Sequence, residues 1–251
     1  PYLYNYGERN EIYAAIIGQP SVQFFGYKTD GVWTSQDEID AAQNKGLTSN
    51  LSQYFQPGGL KIVDIDGNDT IDANDRVAFG NPFPDFTWGI TNTFAYAGFD
   101  LTILIQGVQG GKLINGDAYY NETKKFNKNF NNNNRWVSAA HPGDGKTPYF
   151  TNGVDWMLTD YVMEDASYAA LRNIIIGYTL PHKWAKKALL NGLRIYGSVY
   201  NVLYLTGKTY RGINPEARVT SSQYRSPLID GYQRGAFPLS RAYTLGVDLN
   251  F

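Results

Sequence analysis

The chain has 251 residues, a formal net charge of −1 and no cysteine. The lack of cysteine excludes disulfide bonds and thiolate metal sites, and the near-neutral charge gives no electrostatic reason to expect nucleic acid as a partner. Tyrosine and glycine are abundant, at 20 and 26 copies, while charged residues make up only 18%; this composition favours strands and turns over helices.

The region before Pro57 offers only one or two plausible strands, which we place near residues 22–33. Its first residues lack the basic segment that opens a signal peptide. We therefore expect the chain to be a fragment that begins partway through a longer protein.

The acidic segment DIDGNDTIDAND, residues 64–75, is the densest chemical motif of the chain. Counted from its first residue, oxygen-bearing groups fall at positions 1, 3, 5, 7, 9 and 12, which is the ligand spacing of an EF-hand loop that wraps Ca²⁺. The predicted metal ligands are Asp64, Asp66, Asn68, Thr70 (through its carbonyl), Asp72 and Asp75.

Two features depart from the EF-hand pattern. Position 6 is Asp69, where glycine normally allows a sharp turn, and position 12 is aspartate rather than the usual glutamate. The alternative is an Asx-rich surface turn without metal. Because strand-like sequences flank the loop, we expect a structural Ca²⁺ rather than a helix–loop–helix sensor.

Five later segments alternate apolar and polar residues with a period of two, which predicts strands with one apolar face. They lie near residues 85–97, 99–108, 166–180, 193–206 and 238–251.

Two of these predictions are specific about turns and faces. The first two segments meet at Ala97-Gly98, which predicts a hairpin. In the third segment, the alternation places Tyr168 and Ala170 on the face that carries Ile174 and Ile176.

Long and short connections alternate between these segments. Residues 110–163 and 208–237 are long and polar, whereas Ala97-Gly98 and the basic stretch PHKWAKKALLNG are short, and the latter is a candidate short helix. An up-and-down sheet would bring the short turns to one end, as in bacterial outer-membrane barrels. The alternatives are a soluble β-sandwich and a complete barrel of about eight strands, which the few strands before Pro57 disfavour.

Catalytic chemistry is not apparent in the sequence. His141 and His182 each lie beside a proline in a connection, and neither has a nucleophile or acidic partner nearby in sequence. No nucleophile elbow, phosphate loop or dinucleotide fingerprint occurs. We therefore do not expect an enzyme.

Six blocks, in order, resemble the C-terminal end of SusC/RagA-type TonB-dependent transporters of Bacteroidetes. They are GYKTDGVWTSQDEIDA, PGGLKIVDIDGNDTIDANDRVAFGNPFPDFTWGI, YAGFDLTILIQGVQG, YAALRNIIIGYTLP, LRIYGSVYNVLYLTG and FPLSRAYTLGVDLNF. The acidic loop followed by GNPFPDFTWG is the most diagnostic part.

The resemblance implies an all-β fold, namely the C-terminal antiparallel strands of a large transmembrane β-barrel with long extracellular loops. It implies residence in the outer membrane, in contact with lipid, and TonB-driven import of oligosaccharides or peptides with a SusD-like surface lipoprotein. Barrels of this class have about 22 strands. The plug domain, through which TonB acts, and the earlier strands are therefore expected to lie outside this chain.

The contrasting hypothesis is a secreted, calcium-stabilised β-sandwich that binds carbohydrate. The two hypotheses differ in what meets the apolar face of the predicted strands. In a barrel that face meets lipid, and in a sandwich it packs into a core. Seven residues of that face are Phe86, Trp88, Ile90, Ile103, Ile174, Leu245 and Val247.

Overall fold

The computed structural model describes residues 2–6, 9–51, 54–117, 134–149, 158–217 and 230–251, with the backbone alone for 2–6 and 9–11. Much of the two predicted long connections lies outside this part of the chain. The chain divides into two compact units: unit 1 comprises residues 1–83, 112–164 and 217–236, and unit 2 comprises 84–111, 165–216 and 237–251. None of the described helices is long and apolar enough to cross a membrane.

The described part of the chain is dominated by strands. The two short α-helices that lie entirely within it are α1 (Gln36–Asn44) and α2 (His182–Ala185). The strands, in chain order, are β1 (Tyr2–Tyr6), β2 (Arg9–Ala15), β3 (Gln23–Tyr27), β4 (Thr29–Val32), β5 (Thr48–Ser49), β6 (Leu60–Ile62), β7 (Thr70–Ile71), β8 (Arg76–Gly80), β9 (Phe86–Tyr96), β10 (Phe99–Gln109), β11 (Lys112–Asn115), β12 (Met163–Asp165), β13 (Tyr168–Thr179), β14 (Gly192–Thr206), β15 (Tyr232–Gln233) and β16 (Ala242–Asn250).

Unit 1 contains several small sheets around one apolar core. Its largest sheet has the order β1-β2-β3-β8 and is antiparallel. The expectation of only one or two strands before Pro57 is therefore wrong, because β1, β2 and β5 also precede it. The start of the chain does not alternate apolar and polar residues, because bulky residues occupy odd and even positions alike. The period-two pattern that predicts a strand is therefore absent there. The core is formed by Ile12, Tyr13, Val22, Phe24, Tyr27, Val32, Tyr54, Leu60, Ile62, Ile71, Ile114, Val162 and Tyr232.

Helix α1 begins at an N-cap serine, and hydrogen bonds on both sides of this cap fix the first turn of the helix. The Ser35 side chain accepts a hydrogen bond from Glu38 N (3.3 Å), and Glu38 Oε2 in return accepts one from Thr34 N (2.8 Å). The first contact satisfies a backbone donor that the first turn of a helix leaves free, and the second ties that turn to the residue before the cap. The apolar anchor is Ile39, which is buried.

Unit 2 is built on one five-stranded antiparallel sheet with the order β16-β14-β13-β10-β9. Its strands are 9 to 15 residues long, and 9–11 residues suffice for a tilted strand to cross a bilayer. Residues Ala97 and Gly98 have φ of 50° and 87°, as a type I′ hairpin turn requires. The predicted hairpin is therefore present.

The strand register divides the sheet of unit 2 into two chemically distinct faces. The polar face carries Thr87, Thr91, Thr93, Asp100, Thr102, Gln106, Asn173, Arg194, Tyr196, Ser198, Tyr200, Tyr204, Thr244 and Asp248, with Leu104, Val108 and Ile175 as its aliphatic members. The apolar face carries Phe86, Trp88, Ile90, Phe94, Tyr96, Phe99, Leu101, Ile103, Ile105, Leu171, Ile174, Ile176, Tyr178, Leu193, Ile195, Val199, Leu203, Leu205, Tyr243, Leu245, Val247 and Leu249, interrupted by Asn92 and Gln109.

A register shift in β13 corrects one prediction. The ladder skips Arg172, so that Leu171 pairs with Ile105 and Asn173 with Leu104. An unpaired residue reverses the side-chain alternation on one side of it. Tyr168 and Ala170 therefore lie on the polar face, opposite to Ile174 and Ile176, and the simple alternation assigned them wrongly.

The short connections lie at one end of this sheet, as the alternation of loop lengths predicts. Thr179 N donates to Gly98 O (2.8 Å), and Asn191 N donates to Asn250 O (2.7 Å). The hairpin turn, the β13–β14 connection and the last residues of β16 are thus neighbours.

Candidate functional site

The acidic loop of unit 1 adopts the turn that its spacing requires. Asp69, at the position where an EF-hand has glycine, has φ of 60°, in the left-handed region. Aspartate and asparagine enter that region more readily than other non-glycine residues. The departure from glycine at this position therefore does not prevent the chain from turning.

Three of the predicted ligands converge at this loop. Carboxylate oxygens of Asp64, Asp66 and Asp75 all lie within 4.8 Å of one another. Asp75 is fully buried, and its two oxygens accept hydrogen bonds from Ile65 N (2.7 Å) and Asp72 N (2.8 Å). These bonds fix the carboxylate that closes the loop.

The other three predicted ligands form hydrogen bonds of their own. The Asn68 side chain donates to Asp66 Oδ2 (3.1 Å) and accepts from Thr70 N (2.7 Å). The Thr70 hydroxyl is 3.0 Å from that of Thr48. Asp72 lies outside the group of three carboxylates, and it caps a short turn by accepting from Asn74 N (2.7 Å).

The electrostatics of the loop favour a cation. Partial desolvation opposes ionisation of Asp64, but backbone N–H groups outweigh it and hold the pKa of its carboxyl below the ordinary value. Partial desolvation and the carboxylates of Asp75, Asp64 and Asp72 raise the pKa of Asp66. Within the described residues, no basic side chain forms a salt bridge with Asp64, Asp66 or Asp75. Clustered carboxylate oxygens without a cationic partner match the preference of Ca²⁺ for oxygen ligands.

The apolar face of unit 2 is exposed. Phe86 and Ile90 retain 56% and 53% of their accessible surface, and Leu245 and Val247 retain 90% and 57%. A soluble protein rarely exposes so continuous an apolar surface. The sandwich hypothesis requires this face to be buried in a core, and the exposed side chains contradict it.

The polar face carries an ion-pair network that spans four neighbouring strands, β10, β13, β14 and β16, and draws its charged residues from three of them. Arg194 on β14 binds Asp100 on β10 through two bonds, Nε–Oδ1 at 3.0 Å and Nη2–Oδ2 at 2.7 Å, and also binds Asp248 on β16 at 3.1 Å. The pair passes over Gly177 of the intervening strand β13. A Cβ at Gly177 would lie 2.5 Å from Asp100 Oδ1 and 2.6 Å from Arg194 Nη2.

A second polar cluster surrounds Arg172, which sequence reasoning missed. This arginine is 6% exposed, donates to Asn201 Oδ1 (2.7 Å) and to Tyr204 Oη, and forms a salt bridge with Glu216. Arg172 is the residue that the β13 register skips, and Asn201 has φ of 54°. The signal was a charged residue inside an apolar strand pattern, which indicates a bulge that redirects its side chain.

Comparisons with known proteins agree with this architecture. The chain is 30% identical over 235 residues to TonB-dependent receptor P3 of Formosa agariphila, and 24% identical over 208 residues to TonB-dependent receptor SusC of Bacteroides thetaiotaomicron. These alignments cover 93% and 79% of this chain, but only 22% and 19% of the relatives. The chain thus spans about a fifth of the length of the curated relatives it matches.

A solved structure supports the fold. The chain superposes on the structure of the RagAB peptide transporter with a TM-score of 0.68 at 19% identity, covering 100% of this chain and 24% of that one. No family model matches the sequence. From the sequence relatives, the shared fold and the two-faced sheet together, we conclude that this chain belongs to the SusC/RagA-type TonB-dependent receptors of the outer membrane, of which it forms a C-terminal portion.

Proposed function

We propose that this chain supplies part of the barrel wall and outer loops of a TonB-dependent nutrient importer. The observation that carries the proposal is the sheet of unit 2, whose apolar face is exposed while its polar face holds hydrogen-bonded charges. In a bilayer the apolar face meets hydrocarbon, and the polar face lines a lumen. The antiparallel ladders satisfy the backbone groups between neighbouring strands, which lipid cannot do.

The proposed substrates are glycans or peptides, taken up together with a SusD-like surface lipoprotein and powered by TonB through the plug region. The named relatives support this proposal: one is SusC, and the structural neighbour is a peptide transporter. Growth of a strain that lacks the full-length receptor, on single oligosaccharides or peptides, tests the substrate class. If the strain without the receptor still grows as well as the wild type on both oligosaccharides and peptides, the proposal is contradicted.

The membrane-facing assignment is tested by a pair of adjacent substitutions in β16. Leu245 lies on the apolar face and Thr244 on the polar face, and both are exposed. In the full-length receptor, Leu245→Arg places a charge against lipid and is expected to cost about 2–4 kcal/mol near the bilayer midplane. Thr244→Arg adds the same charge toward the lumen and should assemble normally. The readout is folded receptor in the outer-membrane fraction, measured by heat-modifiable gel migration; equal assembly of both variants would contradict the assignment.

We further propose that the acidic loop holds a structural Ca²⁺ through Asp64, Asp66 and Asp75, with Asn68, Asp72 and the Thr70 carbonyl completing its environment. When bound, the ion would neutralise the carboxylates and brace the loop. Calorimetric titration with Ca²⁺ should give binding heat for the wild-type receptor and for the control Asp37→Ala, whose aspartate is exposed on helix α1. Asp66→Ala should abolish that heat. Identical heats for all three proteins would contradict a Ca²⁺ site at this loop.

A further inference from the structure

The connection between β13 and β14 is an exposed cationic turn. Residues 181–191, here called the basic turn, carry Lys183, Lys186, Lys187 and His182 and contain no acidic residue. All four side chains are exposed. In the described part of the chain, none of the three lysines forms a salt bridge. The turn therefore presents positive charge to its surroundings.

The same turn exposes large apolar side chains. Trp184 retains 59% of its accessible surface and Leu189 retains 91%. Lys187 Nζ lies 4.7 Å from the centre of the Trp184 ring. Buried Ala185 fixes the base of the turn, and the αR backbone of α2 gives way to φ of 61° at Leu189. A turn that served only solubility would not need an exposed tryptophan and leucine beside its lysines.

The basic turn lies at the edge of the apolar face. Leu180 N donates to Leu193 O (2.8 Å), and Leu193 belongs to that face. Aromatic side chains mark the same end of the sheet: Tyr96, Phe99 and Phe251 are exposed, and the rings of Phe99 and Tyr178 lie 4.5 Å apart. Aromatic residues of this kind concentrate where hydrocarbon meets the headgroups. The lysines are thus placed at headgroup depth.

We propose that the basic turn binds the anionic headgroups of phospholipids in the leaflet at this rim of the barrel. The proposal rests on the membrane-spanning function proposed above. Lysines beside a membrane surface attract anionic lipid, and the charge of the turn is complementary to phosphodiester headgroups. Trp184 and Leu189 supply the apolar contact that holds the turn at the interface, and this surface is continuous with the lipid-facing wall.

The test uses the full-length receptor and compares two triple variants of equal charge change. Lys183→Gln/Lys186→Gln/Lys187→Gln removes the charge of the basic turn. The control removes three exposed lysines elsewhere, Lys45, Lys146 and Lys208. Detergent-purified receptor is titrated with phosphatidylglycerol or phosphatidylcholine, and retained lipid is counted by native mass spectrometry. Inorganic phosphate and glycerol phosphate, added as competitors, distinguish a lipid site from a site for free phosphate.

The wild type and the control should bind phosphatidylglycerol more tightly than phosphatidylcholine. The basic-turn variant should lose about fivefold in affinity for phosphatidylglycerol per lysine removed, hence on the order of a hundredfold in total, with phosphatidylcholine unaffected. Equal losses in both variants, no preference for phosphatidylglycerol, or full displacement by inorganic phosphate would each overturn the proposal. If all variants reach the outer membrane and import normally, such a failure concerns the basic turn alone; a receptor that never reaches the membrane would instead contradict the proposed function.

Discussion

Replacement of Gly177 by alanine tests the ion pair that spans β10, β13 and β14. The new Cβ would lie 2.5 Å from Asp100 Oδ1 and 2.6 Å from Arg194 Nη2, closer than non-bonded atoms approach each other. Side-chain ends normally move aside, but these two are held to each other by two charge-assisted hydrogen bonds. The added methyl group must therefore displace the pair or strain the sheet.

The expected magnitude follows from opposing effects. An added methylene in a closely packed site costs about 1–3 kcal/mol. Alanine recovers about 0.5–1 kcal/mol because it restricts the unfolded chain more than glycine. We therefore expect Gly177→Ala to destabilise the receptor by about 1–2 kcal/mol.

The assay is guanidinium unfolding of the full-length receptor in detergent, followed by tryptophan fluorescence. Gly89→Ala is the matched control on the polar face, because its Cβ would meet nothing closer than Ile105 O at 3.8 Å; this change should be neutral or slightly stabilising. In an Asp100→Ala background, Gly177→Ala should lose its cost. The reasoning is refuted if Gly177→Ala costs no more than Gly89→Ala, or the same with and without Asp100.

Three further predictions concern other sites. Chelation of Ca²⁺ should lower the unfolding free energy of the wild type by about 2.7 kcal/mol relative to an ion concentration one hundred times Kd, and should leave Asp66→Ala unchanged in the same titration. Desolvation of Glu38 is outweighed by hydrogen bonds from Lys61 and Thr34, which lower its pKa; stability from this carboxylate is present at neutral pH and is lost as the pH falls through that lowered pKa, so an acid titration of Glu38→Gln should lack this step. Gly107→Ala, whose Cβ would lie 2.5 Å from the Trp88 ring, should cost about 1–3 kcal/mol and shift tryptophan fluorescence; an unshifted spectrum would contradict the contact.

Strand positions in unit 2 follow from local physics. Alternation over 85–97 needs only the period of a strand, and the structure has β9 from Phe86 to Tyr96. The hairpin turn was likewise visible in two small residues between alternating runs. These features depend only on residues that are close together in the sequence, so the sequence alone is enough to predict them.

Long-range features were less accessible. The register shift at Arg172 depends on Asn201, Tyr204 and Glu216, which are 29 to 44 residues away in the chain. Their pairing cannot be read from a local pattern. The same holds for Asp75, whose burial depends on how the loop folds back onto Ile65.

The start of helix α1 carries a local sequence pattern that is typical of a helix N-terminus. Ser35 and Glu38 have the spacing of a capping box, and an apolar residue follows directly. In a strand-rich sequence this spacing alone does not establish a helix, because Ser and Glu at i and i+3 also occur in turns.

The two outermost strands of the five-stranded sheet, β9 and β16, each have a ladder partner on one side only within the described residues. Their other sides present a row of amide and carbonyl groups that hydrocarbon cannot solvate. A polypeptide limited to these residues should therefore pair its edge strands with those of other copies and aggregate. Recombinant production of this segment alone is expected to yield insoluble material, whereas additional wall segments placed beside both borders should keep it dispersed.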